Sequence, residues 1–401
     1  MQTSFQLPSV QLLIKPVSGA CNLTCAYCFY CDEMKKRAVP DFGVMSYETL
    51  EIIVKKAIAA AQESCVFAFQ GGEPTLAGLA FFRRLIELEQ KYNTKGLIIH
   101  NTLQTNGYRL DAQWAAFFAE HRFLIGLSID GIQSTHDRYR RTAAGNSTFT
   151  GVLNTARLFD EYHVEYNILT VVNAETAPCI DRIYAFFKKR GFRYLQFIPC
   201  LDPLGEPPGK AAYSLTAEAY GTFLCRLFEL WYADYQNSCQ PSIREFENYI
   251  AVCLGFQPEL CSMRGFCGIQ NVVEADGSVY PCDFYVTGAY KLANLRTGNF
   301  DDIVKNARTN SFIAESRMGK DECRACPFGF ICRGGCRRHR IICPDGTLGE
   351  NRFCTAYKQF FSEKLPYLKR IARQIQIQRC SSFKKPQTPH QVVKNTPGIQ
   401  P

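Results

Sequence analysis

The chain has 401 residues, 46% of them apolar and 21% charged, enough for one large α/β barrel or two to three domains; no uncharged run reaches the ~18 residues that a membrane span needs. Its 20 cysteines follow an N-terminus without the basic-then-apolar pattern of a secretory signal, so a cytoplasmic protein is expected, with thiols that hold metal or clusters rather than disulfides. The net charge of +9 collects partly around residues 370–385 and in the CRRHR run from Cys336; without an aromatic-interleaved basic stripe it reads as solvated surface, with no nucleic acid and no membrane as partner.

Residues 10–17 form an apolar run that reads as a strand, and directly after it comes CNLTCAYC. Cys21, Cys25 and Cys28 stand in Cys-x3-Cys-x2-Cys spacing. Three thiolates on one short loop can hold three corners of a cubane iron–sulfur cluster and leave the fourth iron open to a substrate or cofactor. Zinc, which thiolates also suit, stays open as the alternative at this point.

Ser46 next reads as an N-cap with Glu48 and Glu51 near the first turn, and Leu50, Ile53, Val54, Ala57, Ile58 and Ala61 share one helical face. Residues 65–70 read as a strand running into Gly71-Gly72-Glu73-Pro74, where two glycines permit close backbone approach to a ligand and the glutamate offers an acceptor to an ammonium group. A helix over 78–92 follows. The alternation continues with strands at 97–104, 123–130, 164–172 and 194–199 and helices at 111–120, 149–162, 178–189 and 216–235. Six strand–helix units, with their polar turns at strand C-terminal ends, predict an α/β fold built as a partial (β/α)6 TIM-like barrel over residues 1–238.

From residue 239 the helical periodicity fades and cysteines crowd in: Cys261, Cys267, Cys282, Cys323, Cys326, Cys332, Cys336, Cys343 and Cys354. A loop-rich unit held by metal is expected over 239–378, closed by a helix near 356–377. The Pro-rich, aromatic-poor residues 379–401 read as a disordered tail.

CNLTCAYC resembles the signature of the radical S-adenosylmethionine enzymes, and GGEP after the next strand resembles the motif that holds the amino group of their cofactor. Cys267-x9-Gly277-x4-Cys282, the Cys-x2-Cys-x5-Cys-x3-Cys run of Cys323, Cys326, Cys332 and Cys336, and then Cys354, look like the SPASM extension. Together with LLIKP, FAFQGGEPTLAGL, LQTNG, DGSVYPCDFYV and GGCRR, the resemblance over residues 9–375 is to anaerobic sulfatase-maturating enzymes.

That resemblance implies a radical oxidation of a cysteine or serine side chain in an unfolded or nascent sulfatase polypeptide to Cα-formylglycine, with S-adenosylmethionine split to methionine and 5′-deoxyadenosine. It implies three four-iron–four-sulfur (4Fe–4S) clusters. One would sit on Cys21, Cys25 and Cys28, one on Cys261, Cys267, Cys282 and Cys336, and one on Cys323, Cys326, Cys332 and Cys354. Cofactor contacts are implied at Tyr27, Gly71, Gly72, Glu73, Ser128, Arg140 and Leu201, with Arg138 and Arg141 as neighbours that could displace Arg140 in the alignment. Asp283, fixed beside Cys282, is implied as the base that takes the substrate proton. A flavodoxin or ferredoxin-like reductant is implied as partner. A thioether-crosslinking enzyme of the same superfamily is the rival reading. The other nine cysteines, Cys31 included, are expected mostly as small buried hydrophobes, and His339 as a surface residue.

Overall fold

The computed structural model describes residues 6–317 and 321–383. The chain runs β1 (Leu7–Ile14), α1 (Phe29–Lys35), α2 (Tyr47–Ala60), β2 (Ala61–Phe69), α3 (Leu79–Tyr92), β3 (Ile98–Thr105), α4 (Ala112–Glu120), β4 (Leu124–Ser128), α5 (Gln133–Tyr139), α6 (Phe149–Glu161), β5 (Glu165–Val172), α7 (Ile180–Arg190), β6 (Tyr194–Pro199) and α8 (Ala217–Gln236). Strands β1 to β6 lie side by side in sequence order, every pair parallel. This is the six-unit α/β barrel portion, with every strand's C-terminal end at one mouth.

Local chemistry explains the framework. Val10, Leu12 and Ile14 alternate into the core along β1, and Pro16, which has no N–H for the ladder, follows its end. The strand therefore stops at Ile14 rather than at 17. Ser46 caps α2, its hydroxyl accepting from the Thr49 N–H at 3.1 Å, and the apolar stripe from Leu50 to Ile58 is buried. Ala61, expected on that stripe, instead opens β2 with no intervening loop.

Several elements went unread in the sequence. The short helix α5 has no apolar stripe; it is held by Thr135 Oγ1 donating to the Asp130 carbonyl at 2.6 Å and by the His136 ring accepting the Asp130 N–H at 3.2 Å. Helix α9 (Arg244–Cys253), reached through β7 (Ser242–Ile243), lies where helical periodicity was expected to fade, and buries Phe246, Tyr249, Ile250 and Val252.

The cysteine-rich C-terminal unit is not a separate lobe. Its strands β8 (Val272–Val273), β9 (Ser278–Tyr280) and β10 (Ala293–Asn294) extend the barrel sheet, β8 pairing in parallel with β1 at Leu13 and Ile14. The C-terminal helix, Cys354–Phe383, packs on α8 and α9 through Phe360, whose ring centre is 5.9 Å from that of Phe228 and 6.0 Å from that of Phe246. The first residues of the expected tail, 379–383, complete this helix; the rest of that tail lies outside the described residues. His339 is buried rather than on the surface, its ring edge-on to Phe353 at 5.1 Å. Among the described residues, no helix is long and apolar enough to cross a membrane.

Candidate active site

The loop carrying Cys21, Cys25 and Cys28 crosses the barrel mouth between β1 and α1. It is pinned by the Thr24 N–H donating to the Arg141 carbonyl at 2.8 Å and by a bridge between Leu23 and Thr142. The three thiols lie within electrostatic reach of one another. Burial pushes the Cys25 thiol up to about 12. Cys28 goes the other way, to about 6, because the Cys31 thiol and the Tyr30 and Cys31 amides at the start of α1 donate to its sulfur. A buried thiol such as Cys25 becomes a thiolate only against strong positive charge, so the three thiols suit a bound metal or cluster. Among the described residues no three His, Cys, Asp or Glu side chains converge as a single ion requires. A cubane does not require it, since each thiolate takes its own iron.

The Gly71–Pro74 turn packs under this loop. At Gly72 a Cβ would stand 1.9 Å from the Ala20 carbonyl oxygen, so the close approach that needs glycine is to the cysteine loop itself. Gly71 has φ +119°, outside the range of other residues. The Glu73 carboxylate, expected to meet an ammonium, has four internal donors. Oε1 accepts from the Thr75 N–H (3.1 Å) and the Thr75 and Thr105 hydroxyls (2.7 and 2.8 Å), and Oε2 from the Asn106 N–H (2.7 Å). Asn106 in turn donates through Nδ2 to Cys21 Sγ at 3.6 Å. Glu73 thus orders the first thiol through one intermediate residue.

Ser128 ends β4 and is buried; Leu201, half-buried, follows β6. Tyr27 and Arg140 meet at Asp130: the Tyr27 hydroxyl and Arg140 Nε both donate to Asp130 Oδ2, while Oδ1 accepts the Val171 N–H at 3.0 Å. Arg140 is the buried one of its group; Arg138 pairs with exposed Glu175 and Arg141 donates to a loop carbonyl.

The eight cysteines implied as further cluster ligands gather into two groups. Cys282 lies in electrostatic reach of Cys336 and Cys267, and Cys336 in reach of Cys261. Cys332 lies in reach of Cys354, Cys323 and Cys326. Asp283 opens the single turn Asp283–Tyr285 and is buried. The Tyr30 hydroxyl donates to its Oδ2, Gln270 Oε1 accepts its N–H at 3.1 Å, and Oδ1 is left without a partner. Burial raises this carboxyl to about 6, against the opposing charge of Lys15. Of the remaining cysteines, Cys65, Cys200 and Cys225 are buried, Cys239 is exposed, Cys31, Cys179, Cys253 and Cys343 are partly buried, and Cys380 lies outside the described side chains.

Sequence reading missed Asp130, Tyr30 and Lys15. A signal existed for each: an aspartate at a strand's C-terminal end, a tyrosine two residues past the cysteine loop, and a lysine inside the apolar LLIKPV run.

A family model described as the radical SAM superfamily matches residues 16–187, and one described as an iron-sulfur cluster-binding domain matches 261–327. The cysteine-type anaerobic sulfatase-maturating enzyme of Clostridium novyi is 44% identical over 368 residues, 92% of this chain and 98% of that relative. The serine-type enzyme of Bacteroides thetaiotaomicron is 32% identical, covering 92% of each chain. A solved structure described as native anSMEcpe with bound AdoMet and Kp18Cys peptide superposes with a TM-score of 0.88 at 44% identity, covering 92% of this chain and 100% of that one. With that identity running nearly end to end in both chains, on a barrel whose mouth holds a three-cysteine loop and whose C-terminal unit gathers two further groups of cysteines, this protein belongs to the anaerobic sulfatase-maturating enzymes of the radical SAM superfamily.

Proposed function

We propose that this chain converts a cysteine side chain, in preference to serine, of an unfolded sulfatase polypeptide to Cα-formylglycine. The observation that carries the reading is the Tyr30–Asp283 hydrogen bond, which links the helix that begins at Cys28 to the carboxylate beside Cys282. A hydrogen-abstracting centre and a base are thereby joined across one mouth. When bound, S-adenosylmethionine and the three 4Fe–4S clusters supply removal of a hydrogen atom from the substrate Cβ and a sink for the one electron left behind.

The chain's own residues do the remainder. Cys21, Cys25 and Cys28 hold the first cluster; Cys261, Cys267, Cys282 and Cys336 hold a second, and Cys323, Cys326, Cys332 and Cys354 a third. Tyr27, Gly71, Gly72, Glu73, Ser128, Arg140 and Leu201 line the cofactor's place. Asp283 accepts the substrate's thiol proton on Oδ1, while Tyr30 holds Oδ2. The thioaldehyde left on the peptide then hydrolyses to the aldehyde. The preference for cysteine follows the cysteine-type relatives at 44–45% identity, against 31–32% for the serine-type. A flavodoxin or ferredoxin-like reductant and a cytoplasmic setting complete the reading, with residues 1–238 carrying the radical chemistry and 239–383 the auxiliary clusters.

The experiment is an anaerobic assay with paired peptides bearing a Cys-x-Pro-x-Arg or Ser-x-Pro-x-Arg core, read by mass spectrometry. The cysteine peptide should exchange its CH2–SH for an aldehyde faster than the serine peptide loses its two hydrogens. Deoxyadenosine released with neither peptide changed would refute the activity.

A further inference from the structure

Tyr30, Glu33 and Arg37 stand at i, i+3 and i+7, on one face of α1 and its C-terminal extension. All three are buried and all three reach the C-terminal unit. The Tyr30 hydroxyl donates to Asp283 Oδ2, Glu33 Oε1 accepts the Val286 N–H at 3.2 Å, and Arg37 pairs with Glu274 at 2.5 Å. Lys15, just past β1, pairs with the same Glu274 at 3.0 Å and sits 4.7 Å from the centre of the Tyr30 ring. Glu33 is not needed to complete an ion pair, yet it is 1% exposed, and its Oε2 has no hydrogen-bond partner.

We propose that Glu33 is a positioning residue for the catalytic carboxylate: by holding the Val286 amide it ties down the far end of the Asp283–Tyr285 turn and aims Asp283 Oδ1 at the substrate. Val286 is the residue that caps this single turn. Tyr30 and Gln270 fix its near end; at the far end the Tyr285 ring packs on Tyr290 and Phe312, and Glu33 adds the side-chain hydrogen bond that holds the backbone there.

Charge balance says in which form Glu33 does this. Two cations, Lys15 and Arg37, face three carboxylates, Glu33, Glu274 and Asp283, in a site nearly closed to water. A buried net charge is costly, so one carboxyl carries a proton. Both cations pair with Glu274, leaving Glu33 and Asp283 without a cation in ion-pair contact, and burial pushes Glu33 up to about 8 despite Lys15. A protonated Glu33 still accepts through Oε1 and adds no repulsion beside Asp283. Glutamine has the same shape and the same acceptor.

The inference rests on Asp283 being the base. It is tested with Glu33→Gln, Glu33→Leu and Glu33→Ala, each reconstituted with iron and given the cysteine peptide deuterated at Cβ. The readouts are iron per chain, deuterium in 5′-deoxyadenosine, and 5′-deoxyadenosine formed per formylglycine. Leu and Ala should keep their iron and the deuterium transfer but raise the ratio about tenfold, because a misplaced group loses the step it serves rather than the one before it. Gln should keep the wild-type ratio. A wild-type ratio in both Leu and Ala, a Gln as uncoupled as Leu, or loss of iron from Leu and Ala alike would overturn the positioning role. Wild-type enzyme that makes no formylglycine would instead refute the proposed activity.

Discussion

Arg140 Nε lies 2.9 Å from Asp130 Oδ2, and the two side chains are only 10% and 1% exposed. The same oxygen accepts the Tyr27 hydroxyl, so one carboxylate fixes a side chain of the cysteine loop and a side chain at the end of α5. Removing it strands a buried guanidinium. Asp130→Ala is expected to lose about 3–5 kcal/mol in denaturant unfolding, and Asp130→Asn less because the shape is kept. An unchanged midpoint for Asp130→Ala would refute the latch.

Alanine at Cys21, Cys25 and Cys28 together should lower reconstituted iron by about a third, one cluster of three, and abolish 5′-deoxyadenosine formation. The two C-terminal groups share no ligand with that loop, so their iron should stay. Elemental analysis and the cluster absorbance check both statements.

Gly72→Ala places a methyl 1.9 Å from the Ala20 carbonyl, a backbone atom that cannot swing aside. The variant should lose about 1–3 kcal/mol of stability and bind S-adenosylmethionine more weakly, as equilibrium dialysis would show. An Ala at Gly78, where the Cβ position is clear of neighbours but φ is +81°, should cost stability through backbone strain and leave cofactor affinity unchanged.

Asp283→Asn keeps the Tyr30 contact but removes the proton acceptor. Formylglycine formation should fall by about 10²–10⁴-fold. Deoxyadenosine should still form. Equal loss of both products would reassign the residue to cofactor binding.

Glu245 gives a pH-dependent stability. Its Oε1 accepts the Phe197 N–H at 3.2 Å, its Oε2 has no partner, and burial raises the carboxyl from 4.5 to about 8. The folded chain therefore holds this proton more tightly than the unfolded one, and stability falls as pH rises from about 4.5 to 8. Glu33 and Glu89 shift in the same direction. Glu245→Gln should flatten part of that decline and gain a few kcal/mol at pH 8, measured by urea unfolding across the range.

Features that depend on neighbours in sequence were legible before any fold was seen. Alternating and helical apolar patterns announced the six strand–helix units, Ser46 announced its helix start, and the spacing of Cys21, Cys25 and Cys28 marked one loop for a metal or cluster, with zinc excluded only by the wider resemblance. What the tertiary structure decided depends on residues brought together from far apart. Helix α5 is held by a strand end instead of an apolar stripe, and β8 joins β1 across more than 250 residues. Glu73 is ordered by Thr105 and Asn106, which come from the next strand and its turn and are not visible in its own sequence context. Lys15, a charge within an apolar run, finds Glu274 only once the C-terminal unit has packed against the barrel. A spacing pattern reports which groups can act; desolvation and partner choice, which set charge and aim, exist only after the chain has closed on itself.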